Sequence, residues 1–123
     1  MPKADIDFTK LANAGYVPRK RKAGEVLFSE GDAGDCMYIL RSGQVGLQRG
    51  GKTIETVGPG GIFGEMSLID GSPRSAAARA MTDCELLEID EKTFVFLVHE
   101  TPYFALDVMR TLAARIRSMN DLI

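Results

Sequence analysis

Tryptophan is absent from this 123-residue chain, histidine occurs once and cysteine only twice. Each scarcity excludes something. One imidazole, His99, cannot build a site of two or three histidines, so a metal-dependent jelly roll of the cupin kind is not expected and no metal ligand is assigned. His99 instead suits the end of a short helix, where its charge complements the dipole. Cys36 and Cys84 form neither a CxxC pair nor a disulfide framework, and a reducing, cytoplasmic compartment is expected. No apolar run approaches the ~20 residues that span a bilayer. The polar opening Met1-Pro2-Lys3-Ala4-Asp5 is unlike a signal peptide. Neither sign of charge prevails, with 15 Lys and Arg against 17 Asp and Glu, so generic nucleic-acid binding lacks electrostatic support. The local exception, Arg19-Lys20-Arg21-Lys22, reads as a solvated strand or loop face.

Glycine is what the chain has in quantity, 13 residues in all. From Val17 onward glycines cut the chain into short apolar or alternating stretches, the pattern of many short strands. Before them, Asp7 to Ala14 places Phe8, Leu11 and Ala12 on one helical face, stopped by Gly15. Gly50-Gly51 lies between two alternating stretches and reads as a hairpin turn. Gly46 to Thr53 also matches the phosphate-loop pattern GxxxxGK[ST] letter for letter. Such a loop must open a helix, whereas Lys52-Thr53 leads into the strand-like Ile54-Glu55-Thr56-Val57. The nucleotide-loop reading is therefore rejected. Ile62 to Ile69 has room for a short helix before Gly71 and Pro73. Asp90 is a plausible N-cap, and Pro102 fits the first turn of a final helix.

The expected fold is mainly β with flanking α: a β-roll or jelly roll of about eight strands, with a short N-terminal helix, a one-turn helix and two C-terminal helices. Residues 1–123 read as one domain. Residues 1–15 hold the first helix, 17–89 the roll, 63–76 its central motif and 90–123 the terminal helices.

That motif, Phe63 to Ala76, carries the chemistry. It puts a carboxylate, Glu65, at the start of a one-turn helix and a guanidinium, Arg74, nine residues later. Free amides from Met66 onward favour an anion, and the planar fork of Arg74 fits two phosphate oxygens. Glu65 would repel a phosphate, but beside one it can accept from a sugar hydroxyl. Together the two groups describe a ribose phosphate. Taken in isolation, the pair reads better as a structural salt bridge at a turn.

The segment resembles the phosphate-binding cassette of the cyclic nucleotide-binding domain family, which includes catabolite-activator proteins, kinase regulatory subunits and cyclic nucleotide-gated channels. That cassette reads roughly F-G-E-[LIM]-[AGS]-L, then P-R-[AST]-A, and Phe63 to Ala76 fits it at every such position. The upstream pattern from Ala23-Gly24-Glu25 through Gly31-Asp32 to Ser42-Gly43 is similar too. The resemblance implies that Arg74 clamps the cyclic phosphate and Glu65 binds the ribose 2′-hydroxyl. It also implies supporting contacts from Gly64, Met66, Ser67, Ser75 and Ala76. Ser75 leans the ligand toward cAMP, with cGMP as the alternative. Val45, Ile54 and Val57 align with base-walling positions, or are plain barrel core. Arg115, Met119 and Asn120 align with base-facing positions of the last helix.

The expected function is a non-catalytic cyclic nucleotide sensor that re-docks its C-terminal helices on binding. The alternative is an interaction or dimerisation module of the same fold that has lost or changed its ligand. No base, nucleophile and orienting group stand together as an enzyme requires, and no cofactor is implied. In related activators a helix-turn-helix follows the last helix; this chain ends at Ile123, so direct DNA binding is not expected, nor is membrane insertion. The partner is an unidentified effector protein or a second copy. Ala105, Met109, Leu112, Ile116, Met119 and Ile123 form a heptad-like seam that would serve a homodimer, and Val108 and Leu112 start a second apolar face suited to packing on the roll. The equal alternative is that both faces pack on their own domain as a monomer's lid.

Overall fold

The computed structural model describes residues 15–120. Among these residues there are eight strands: β1 (Arg19–Arg21), β2 (Val26–Phe28), β3 (Met37–Ser42), β4 (Val45–Arg49), β5 (Lys52–Val57), β6 (Ile62–Phe63), β7 (Ala77–Ala80) and β8 (Cys84–Ile89). Three helices accompany them: α1 (Glu65–Asp70), α2 (Glu91–Glu100) and α3 (Tyr103–Asn120). The strands form two four-stranded antiparallel sheets, ordered β1-β8-β3-β6 and β2-β7-β4-β5. This is the expected jelly roll. The expected N-terminal helix lies outside the described residues.

The apolar run at Cys36 to Leu40 has a simple cause. Strand β3 is covered on both faces, so neither face needs to be polar. Met37 and Ile39 point to the helices, joining Ile62, Leu87, Ile89, Leu97, Phe104 and Val108. Leu40 points between the sheets, joining Val45, Leu47, Val57, Phe63, Ala78 and Leu86. The period of two divides one sheet between two cores.

The β4–β5 connection is a hairpin through Gly50 and Gly51, at φ 58° and 80°. Only glycine adopts this pair of left-handed conformations at no steric cost. Lys52 and Thr53 begin β5, so the phosphate-loop pattern here has no helix to serve. Asp90 caps α2, its carboxylate accepting from the Thr93 amide at 2.8 Å.

Helix α3 divides the expected seam. Phe104 and Val108 are buried, and Leu112 packs beside them on the helical core. These recur at four residues, the stripe of an ordinary packed helix. Met109 and Ile116 face outward, 61% and 50% exposed. Leu112 therefore sits at the edge of the buried stripe while Met109, about 60° further round the helix, lies beyond it, so one seam spans two environments. Ile123 falls outside the described residues. No helix among the described residues is long and apolar enough to cross a membrane.

Candidate functional site

Both ends of the motif are placed by backbone geometry. Gly64 precedes α1 at φ 75°, a left-handed conformation that favours glycine. A side chain there would also meet Arg74 Nη1 at 2.8 Å. At the other end, the Arg74 amide donates to the Asp32 carbonyl and the Gly31 amide donates to the Arg74 carbonyl, each at 2.8 Å. The β2–β3 turn thus pins the cassette.

Arg74 is 5% exposed. Its Nη1 donates to the carbonyls of Cys36 and Gly64 at 2.8 and 2.9 Å, and its Nη2 to Cys36 Sγ at 3.5 Å. Its Nε is buried and has no hydrogen-bond partner. The Nε–Nη2 edge of the fork therefore holds one weak sulfur acceptor and one unmet donor. A buried N–H without an acceptor is costly and rare. Burial pushes the Cys36 thiol above its ordinary range, as it does the Tyr38 hydroxyl. Both stay neutral near Arg74, and neither cancels its charge.

Glu65 is 2% exposed. Its countercharge comes from α3: Arg115 Nη1 donates to Glu65 Oε1. Arg115 also forms a two-pronged pair with Glu55, Nε to Oε1 and Nη2 to Oε2, both at 3.1 Å. Its Nη2 further donates to the Ile62 carbonyl at 2.8 Å. Burial disfavours the charged guanidinium, but Glu65 and Glu55 outweigh it and raise its pKa.

These groups face one cleft of about 140 Å³, against the ~10–15 Å³ that seats one water. Gly64, Glu65, Met66, Ser67, Arg74, Ser75 and Ala76 line it together with Ile54 and Arg115. Val45 and Val57 do not. They are wholly buried in the core between the sheets, opposite each other in the β4–β5 ladder, so the core reading replaces the base-pocket one. The side chains of Met119 and Asn120 lie outside the described residues.

Phe28, Leu47, Arg49, Glu55 and Ser118 line the cleft as well and escaped the sequence reading. Glu55 left a trace. It shares strand parity with buried Val57, so a carboxylate occupied an inward position. Among the described residues no cluster of three or more His, Cys, Asp or Glu could hold a metal ion.

Residues 18–101 match the family described as cyclic nucleotide-binding domain, and the chain belongs to that family. It is 38% identical over 112 residues to the cyclic AMP receptor protein of Thermus thermophilus, covering 87% of this chain and 52% of that relative. It is 31% identical over 125 residues to a CRP-like cAMP-activated global transcriptional regulator of Mycobacterium tuberculosis, covering 98% and 54%. The crystal structure of the Thermus thermophilus catabolite activator protein superposes with a TM-score of 0.77 at 37% identity, covering 91% of this chain and 55% of that one. The chain spans about half the length of these relatives.

Proposed function

We propose that this chain is a non-catalytic, cytoplasmic receptor for a cyclic nucleotide, with cAMP the expected ligand and cGMP its competitor. The observation that carries the reading is the pair of buried, oppositely charged groups on one cleft. Arg74 offers an Nε–Nη2 edge with an unmet donor, and a cyclic phosphate supplies two anionic oxygens spaced for such a fork. Glu65 offers a carboxylate where a ribose hydroxyl donates. The family's regulatory character and the cAMP in the relatives' names favour the same ligand class.

Signalling follows from Arg115. It ties α3 to Glu65, the group a ligand hydroxyl would engage, so ligand and helix compete or cooperate at one carboxylate. Binding then shifts the docking of α3 to the extent that the ligand prefers one arrangement. The outward Leu106, Met109 and Ile116 support an effector protein or a second copy as the reader of that shift.

The test is calorimetric titration with cAMP and cGMP on the wild type, Arg74→Ala and Arg74→Lys. Saturable binding is expected for the wild type and at least tenfold weaker binding for both variants; lysine keeps the charge but lacks the fork. Neither heat nor a thermal shift from either nucleotide, on wild-type protein shown to be ligand-free, overturns the reading.

A further inference from the structure

Glu55 has no role in the cassette, yet its carboxylate opens into the same cleft. It faces inward on β5, directly across the ladder from Leu47. It is held by the Nε–Nη2 edge of Arg115 in the parallel geometry that makes guanidinium–carboxylate pairs strong and well oriented. The remaining terminal nitrogen, Nη1, reaches Glu65. One cation from α3 is thus divided between a strand carboxylate and the cassette carboxylate.

That division matters when a ligand arrives. Glu65 is 2% exposed and Arg115 is 13% exposed on its side chain. A hydroxyl that takes over Glu65 Oε1 displaces an N–H from a guanidinium with little access to water. Stranding that charge would oppose binding. The Glu55 pair prevents this, because two of the Arg115 donors stay engaged on β5 whatever happens at Glu65.

We propose that Glu55 is a positioning residue for the ribose-hydroxyl site: it holds the Arg115 fork in place while a ligand 2′-hydroxyl replaces Arg115 at Glu65. The inference rests on the cyclic-nucleotide reading above. Its signature is selective. The benefit reaches only ligands that use Glu65, so Glu55 governs discrimination between a ribose and a 2′-deoxyribose ligand rather than binding in general.

The experiment is calorimetric titration of cAMP and 2′-deoxy-cAMP into the wild type, Glu55→Gln and Arg115→Lys. The wild type should favour the ribose form by about tenfold, the worth of one hydrogen bond to a buried charge. Glu55→Gln should lose most of that preference while its affinity for the deoxy form changes less than about twofold. Arg115→Lys keeps the cation and breaks the fork, and should collapse the preference likewise. The double variant should lose no more than either single change, since both act through one pair.

A preference retained in both variants overturns the role of Glu55, as does an equal loss of affinity for the two ligands. A wild type that binds both forms alike removes the hydroxyl site itself and overturns it too. A wild type that binds neither nucleotide fails at the level of the receptor reading, and is distinguished from the other failures by the absence of any titration.

Discussion

The guanidinium carbon of Arg74 lies 4.3 Å from the centre of the Phe28 ring. The cation is therefore held against an aromatic face as well as by carbonyls. The platform is larger than one ring. Tyr38 stacks on Phe63 at 5.1 Å and on Phe28 at 5.8 Å, joining β2, β3 and β6 beneath the cassette's positive charge. Ring faces carry partial negative charge, so the stack stabilises a desolvated cation that has an unmet donor.

Phe28→Leu should separate this electrostatic role from packing. Leucine fills much of the space but offers no face to the cation. Loss of a partly desolvated cation–π contact corresponds to about 1 kcal/mol, or roughly fivefold weaker nucleotide binding. Isothermal titration checks it. An unchanged affinity would show that the two carbonyl bonds alone position Arg74.

Gly34 admits Arg74 where no side chain could stand. A methyl group at Gly34 would lie 2.3 Å from Arg74 Nε and 2.4 Å from its Cζ, well inside contact distance. The Gly34 φ is not among the left-handed glycines, so alanine is acceptable to the backbone and the conflict falls on the guanidinium. Gly34→Ala should weaken nucleotide binding by at least about tenfold, because the fork loses its angle. Its thermal midpoint should fall as well, because the displaced guanidinium gives up its buried bonds to the Cys36 and Gly64 carbonyls. Titration and a melting curve on the same sample read both, and wild-type affinity would show that Arg74 shifts without losing its task.

Asp90 makes a prediction about pH. Its bonds with Thr93, chiefly from the Thr93 amide, lower the carboxyl below its usual range. A depressed folded-state pKa contributes stability above the unfolded value, ~3.9, and that contribution is lost as pH falls through the folded value. Asp90→Ala should cost about 1 kcal/mol at neutral pH, the usual worth of an N-cap. The gap between wild type and variant should close as pH falls below ~4. Denaturant midpoints at pH 7 and pH 3 test this, and a gap as wide at pH 3 as at pH 7 would contradict it.

Much of the chemistry was readable along the chain because it is local. Glu65 and Arg74 stand on one contiguous segment, and Gly64 is a backbone requirement of that segment. The Gly50-Gly51 hairpin and the Asp90 cap are likewise matters of a few neighbouring residues. Val45 and Val57 were less readable. Alternation assigns them to one face of the hairpin, but two inward surfaces exist, core and cleft. Which one a strand residue meets depends on where along the strand the opposing sheet ends.

What the sequence determined by itself, then, was the roll of short strands, the terminal helices, and the motif with its two charged groups, because propensity, turn chemistry and period act over a few residues. The tertiary structure decided that Glu55 faces the cleft beside Glu65. It also brought Arg115, 60 positions from Glu55 and 50 from Glu65, to serve both carboxylates. It seated Arg74 between Gly34, Phe28 and the Cys36 carbonyl. Contacts of that range arise from the closing of two sheets and the docking of a helix against them. Those are properties of the packed whole and leave only weak traces, such as one carboxylate on the inward side of a strand.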